Sequence, residues 1–174
     1  MTTTALSTSY LTKLCRHLIP RTFSAVVSCD MIKDGFPSYS KTRAVIVNTL
    51  EARFTHGGHW VALYYDKPTD KFHYYDPYGM DYKTNKKIAA FLRKTKKKIK
   101  CHKTQVQSLF SLFCGYHSVA FLTHLDRGVD TNGFFRLYAQ PPREGKVGDD
   151  DSNLIKNDDT TVAFIKAWLK DERR

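Results

Sequence analysis

With 174 residues, 41% of them hydrophobic and 13% aromatic, the chain is long enough to fill a core and too apolar to stay disordered. No apolar run approaches the roughly 18 residues of a membrane span. The opening Met1-Thr-Thr-Thr-Ala-Leu-Ser7 lacks the basic and apolar regions of a secretory signal, so a soluble, intracellular, single-domain protein with no membrane partner is expected over residues 1–174. The net charge of +11 is unevenly placed: ten Lys and Arg fall between Lys83 and Lys103 with no acid among them, and acids gather at Asp149-Asp150-Asp151 and Asp158-Asp159.

In chain order, residues 9–18 space Tyr10, Leu11, Leu14 and Leu18 on one helical face, with Ser9 as N-cap and Pro20 as terminator. A short apolar run at 23–27 precedes a loop at Asp34-Gly35-Phe36-Pro37. Residues 44–50 are β-branched and nearly all apolar, which predicts a buried strand. Residues 59–65 predict a second strand and 71–75 a third, joined by a turn at Pro68-Thr69-Asp70. His59 then opens one strand of a hairpin and Asp76 follows the next, at the same edge of a sheet.

Beyond the Asp76-Pro77-Tyr78-Gly79 turn, residues 84–97 read as a helix with Ile88, Phe91 and Leu92 inward. Residues 99–106 read as a strand, and 115–125 as a helix with Cys114 at its start. The stretch 126–158 predicts a long loop holding a short strand at 134–138, and 160–170 predicts a last helix burying Val162, Ile165, Trp168 and Leu169. The cation run has two readings. One is a solvated face. The other is a sequence-blind, salt-dependent DNA surface built on Lys94, Lys96, Lys97, Lys98 and Lys100.

The four cysteines, Cys15, Cys29, Cys101 and Cys114, form no C-x-x-C, so neither a disulfide framework nor a zinc ribbon is expected. His56-Gly57-Gly58-His59 has no cysteine or carboxylate at ligand spacing, so no metal is expected either. Cys15 and Cys29 read as buried structural thiols; His73, His117 and His124 read as structural or surface residues. Cys114 differs, because a helix N-terminus favours a thiolate over a thiol. His59 can exchange its proton, Asp76 can orient the imidazole, and the Gln107 amide with the Cys114 backbone N–H can stabilise an oxyanion.

The specificity lies in the local words. Gly57-Gly58-His59-Trp60, then Tyr75-Asp76-Pro77-Tyr78-Gly79 with the acid 17 residues after the histidine, then Gln107 seven residues before Cys114-Gly115, resembles the adenovirus maturation proteinase (adenain) family. Ile46-Val47-Asn48-Thr49 and Thr104-Gln105-Val106-Gln107 share the likeness, which spans roughly residues 36–125. SUMO-deconjugating relatives usually place the glutamine six residues before the cysteine, so seven favours the viral branch.

The resemblance implies an α+β, papain-related fold of the ubiquitin-like-protein peptidase clan. In it a central, mostly antiparallel sheet is flanked by helices, Cys114 opens the central helix, and Trp60 packs beside the histidine. It implies a monomeric cysteine endopeptidase that cleaves viral capsid and structural precursors at glycine-containing sites. Such an enzyme is packaged in the virion and acts inside the host, in the nucleus or a cytoplasmic virus factory. No cofactor is obligatory, but DNA and an activating viral peptide are expected stimulators. The family's peptide-linking cysteine falls on Lys96, which argues against a covalent link. The short stretch after Cys114 fits a smaller relative of virophage or polinton type. Two alternatives remain: a peptidase releasing ubiquitin-like modifiers, and a DNA-binding packaging protein whose peptidase site has decayed.

Overall fold

A computed structural model of the protein describes residues 6–54, 57–109, 111–138 and 152–171. Its spine is a five-stranded sheet in the order β1 (Phe23–Ser28), β2 (Arg43–Asn48), β3 (Trp60–Asp66), β4 (Lys71–Tyr75) and β5 (Lys98–His102). β2 and β3 are buried almost end to end, which explains their unbroken apolar runs: both faces of the sheet are covered. Side chains alternate across it. Ala44, Ile46, Ala62 and Tyr75 join one core, and Val45, Val47, Val61, Leu63 and Phe72 join the other.

The first core lies under α1 (Thr8–Leu18), α4 (Cys114–Asp126), α5 (Thr131–Arg136) and α6 (Ser152–Asp171). The second lies under α2 (Ile32–Gly35) and α3 (Lys86–Thr95). The result is an α+β architecture with helices on both sides of the sheet. The sheet is evenly mixed, not mostly antiparallel. β2–β3 and β3–β4 pair antiparallel, but β1–β2 and β4–β5 pair parallel. The connections carrying α2 and α3 are long enough to return the chain in the same direction.

Several boundaries differ from the sequence reading. α1 begins one residue earlier than the apolar spacing suggests, because Ser7, not Ser9, accepts the Tyr10 N–H. α3 is shorter, started by the Asn85 side chain and stopped by Lys96, which adopts a left-handed φ of 56°. β5 ends at His102, and Val106 and Gln107 instead donate their N–H groups to the Pro77 carbonyl at 2.9 and 3.1 Å.

The largest departure is at the C-terminal end. The segment expected to form a strand at 134–138 is helical through Arg136, because Asp130 accepts the Gly133 N–H at 2.6 Å and starts a turn. This cap overrides the β-preference of the paired phenylalanines. α6 starts at Ser152, inside the expected loop, and its Val162, Trp168 and Leu169 are only partly buried while Ile165 is fully so. Asp149, Asp150, Asp151 and His56 lie outside the described residues. Among the described residues, no helix is long and apolar enough to cross a membrane, and no cluster of three or more His, Cys, Asp or Glu could hold a metal ion.

Candidate active site

The β3–β4 hairpin register, with Ala62 opposite Tyr75, places the residue just before β3 and the residue just after β4 at one end of the sheet. Those residues are His59 and Asp76. The His59 Nε2 lies 2.6 Å from Asp76 Oδ1, and the carboxylate is almost wholly buried. Asp76 Oδ1 also accepts the Tyr78 N–H at 2.8 Å, inside a turn closed by Gly79 N–H to Asp76 O at 2.8 Å. The carboxylate is therefore fixed by its own turn before it meets the histidine.

His59 is fixed just as locally. Its N–H donates to the Thr49 hydroxyl at 3.1 Å, and its carbonyl accepts the Thr49 N–H at 2.8 Å. Gly58, at φ 92°, lets this crossing happen: a Cβ there would sit 2.1 Å from Asn48 Oδ1. The ring that stacks on His59 is Tyr78, with centroids 4.3 Å apart and planes 10° from parallel. Trp60, the ring the resemblance put beside the histidine, is buried in the core with its indole N–H donating to Leu6 O at 3.1 Å.

Cys114 is buried and begins α4. Gly115 beside it packs closely: an added Cβ would lie 3.2 Å from the side-chain tips of Leu11 and Leu6. Ser118, one turn on, donates to Trp60 O at 3.1 Å and ties α4 to β3. His59 Nδ1 is buried without a hydrogen-bond partner, on an imidazole whose charge responds to the nearby Cys114 thiol. Burial opposes charge on this imidazole, but the hydrogen bond to Asp76 and the influence of Cys114 prevail and raise it to about 9. A raised histidine adds stability fully below its ordinary value of about 6.5, and that contribution is lost as pH rises through about 9.

Gln107 is fully buried, but its amide is engaged. Its Nε2 donates to Ser111 O and lies equally close to Ser111 Oγ, both at 2.9 Å, and its Oε1 is buried without a partner. Tyr78 Oη also donates to Ser111 O, at 3.4 Å. Tyr78 and Ser111 went unassigned in the sequence reading. A ring two residues after the acid was the one available signal, and Ser111 had none.

Gly79 is where the site tolerates least change. Its φ is 72°, and an added Cβ would lie 2.6 Å from Lys103 O and 2.9 Å from Gln105 N, on the backbone leading to Gln107. Backbone cannot swing aside as a side-chain tip can. Gly79→Ala is expected to cost about 1–3 kcal/mol, read as a lowered midpoint in thermal unfolding.

The cation run divides in two. Lys94, Lys96 and Lys98 are exposed. Lys97 is paired with Asp70 Oδ1 at 2.7 Å, and Lys100 Nζ donates to the Thr131 hydroxyl at 2.8 Å.

A thiol at a helix start, beside an imidazole held by a carboxylate, is an arrangement able to carry nucleophilic acyl transfer, and thiol hydrolases are the class built on it. Within that class the family is now defined. The model of the adenovirus endoprotease family matches residues 27–135, more than half of the chain, and the chain belongs to that family. Among solved structures, the central domain of the uncharacterized Lpg1148 protein from Legionella pneumophila aligns with a TM-score of 0.50 at 16% identity, over 96% of this chain and 99% of that one. At that identity the likeness speaks to fold alone. No curated protein matches the chain.

Proposed function

We propose that this protein is a viral maturation cysteine endopeptidase that cleaves structural precursors at glycine-containing sites. The observation that carries the reading is the hydrogen bond of His59 to Asp76, with the unpartnered His59 Nδ1 left for the thiol that opens α4, inside a chain of the adenovirus endoprotease family. In this mechanism the Cys114 sulfur attacks the scissile carbonyl carbon, and the C=O π pair moves to oxygen. As the tetrahedral species collapses, the C–N bond breaks, the leaving amine takes a proton from His59, and a thioester remains. Water, deprotonated by His59, then attacks the thioester and releases Cys114.

The oxyanion is stabilised by the backbone N–H of Cys114 and by Gln107 Nε2. Because Gln107 now donates to Ser111, its use requires Ser111 to release the amide. Asp76 holds the imidazole by Nε2 and stabilises its charged form. Substrates with glycine at the cut fit the family, as does release of ubiquitin-like modifiers by the same machinery.

The deciding experiment is alkylation with iodoacetamide near pH 6, followed by peptide mapping, on the native chain and on His59→Ala. Cys114 is expected to label at least about tenfold faster than the other three thiols, and only when His59 is present. Burial pushes the Cys15, Cys29 and Cys101 thiols up, so they are expected to resist. Equal, slow labelling of all four, unchanged by His59→Ala, would instead favour a packaging protein with a decayed site.

DNA enters the same proposal as a stimulator gathered by Lys94, Lys96 and Lys98, while Lys97 and Lys100 are engaged by Asp70 and the Thr131 hydroxyl. The triple change to glutamate is expected to flatten the slope of log affinity against log salt by about 3, measured by anisotropy of a labelled duplex. An unchanged slope would remove these lysines from any DNA surface. An activating viral peptide, particle packaging, and kinship with virophage or polinton-type elements belong to the same proposal.

A further inference from the structure

Behind the candidate site lies a second buried network that the mechanism does not use. His117, three residues after Cys114 on α4, is completely buried, and its Nε2 lies 2.7 Å from Asp158 Oδ1 on α6. Its Nδ1 lies 3.1 Å from the Thr161 hydroxyl, which is itself 3.1 Å from Tyr138 Oη and 2.9 Å from Asn157 O. Burial pulls the His117 imidazole down against the pull of Asp158, so this pair favours a neutral, hydrogen-bonded ring more than His59 does. The neighbouring residue, Asn157, points elsewhere: its Nδ2 donates to Val106 O at 3.0 Å. That carbonyl belongs to the peptide group shared with Gln107, whose N–H is bonded to Pro77 O.

One turn of α6 therefore grips two separate parts of the site. Asp158 holds the helix that begins with Cys114, and Asn157 holds the segment that presents Gln107. α6 lies wholly outside the matched residues 27–135.

We infer that Asn157 and Asp158 are positioning residues that set the placement of the Gln107 amide relative to Cys114, and so the oxyanion geometry. The inference rests on the peptidase reading above. It assigns the C-terminal helix a part in catalysis, without contact to substrate. Asn157 matters through its N–H donor. Asp158 matters as an acceptor for His117 more than as a charge.

The test separates thiolate activation from oxyanion stabilisation, because alkylation by iodoacetamide forms no oxyanion and peptide cleavage does. Asn157→Ala is compared with the native chain in three assays. These are kcat and KM on a fluorogenic peptide amide with glycine at the cut, inhibition by the matching peptide aldehyde, and the rate of Cys114 alkylation. Asn157→Leu, which keeps bulk without the donor, stands in if the truncation fails to fold. The expected result is a fall in kcat of about 10²-fold with KM within a few-fold. Aldehyde affinity should fall in parallel, and alkylation should stay within about twofold. Asp158→Asn, which retains an acceptor for His117, is expected to keep kcat near native, and Asp158→Ala is not.

A folded Asn157 variant with native kcat and aldehyde affinity overturns the inference. So does one whose alkylation falls as far as its kcat, since the donor would then be supporting the thiol itself. If the native chain shows neither turnover nor His59-dependent alkylation, the peptidase reading falls and takes this inference with it.

Discussion

Cys114→Ala is expected to abolish peptide cleavage, with a loss of kcat on the order of 10⁶-fold, and to leave a folded protein behind. The reason is that no other thiol can substitute: Cys15 and Cys29 are buried, and the rise in the Cys101 thiol disfavours its reactive form. The change removes only a sulfur atom from a packed site, so thermal unfolding should shift by no more than about 1–2 kcal/mol. The histidine should respond as well. Cys114 is one of the two partners that raise His59 to about 9, so its loss should bring the imidazole down toward 6.5, followed by NMR titration of the ring. A histidine that titrates unchanged in the variant would mean the thiol does not act on it.

Asp76→Asn should be nearly as damaging, with a loss of about 10⁴-fold in kcat, for a different reason. The carboxylate is held by the Tyr78 N–H and bonded to His59 Nε2, so an amide there can present the wrong group to the ring. Its charge also helps keep the imidazole protonated. The alkaline limb of the native rate profile is expected near pH 9, where His59 loses the proton it delivers to the leaving amine. In Asp76→Asn that limb should move to lower pH. The stability difference between the two proteins should be largest below about 6.5 and shrink as pH rises through about 9, because a raised histidine stabilises in its charged form. A profile whose alkaline limb does not move would exclude Asp76 as the group that sets it.

Much of the arrangement is local chemistry and was readable as such. The near-continuous apolar character of 44–50 and 59–65 marks strands covered on both faces. A hairpin whose turn falls at Pro68-Thr69-Asp70 must bring the ends at His59 and Asp76 together, because antiparallel register depends only on where the turn lies. Cys114 at a helix start followed from the apolar spacing after it. These features depend on residues close in sequence, and so does the family likeness, which rests on short words at fixed separations.

What depended on the whole fold was of another kind. Asp158 fell at the end of the expected loop, yet it lies on α6, buried against His117, 41 residues away. No pattern within either segment announces such a pair, because burial there is decided by how α6 packs on α4. Gln107 and Ser111 illustrate the same limit over four residues: the glutamine's place before the cysteine is visible, but the partner its amide chooses is a tertiary outcome. Likewise Lys97 and Lys100 look the same as Lys94, Lys96 and Lys98 in a run of cations. Asp70 and Thr131 engage the first two, because strand pairing of β4 with β5 and the capped turn of α5 bring those partners within reach. The sequence by itself determined the strands, the hairpin and the order of reactive side chains, since each follows from local periodicity and turn chemistry. Only the tertiary structure decided which polar groups are buried together, because that depends on contacts between segments that carry no sign of one another.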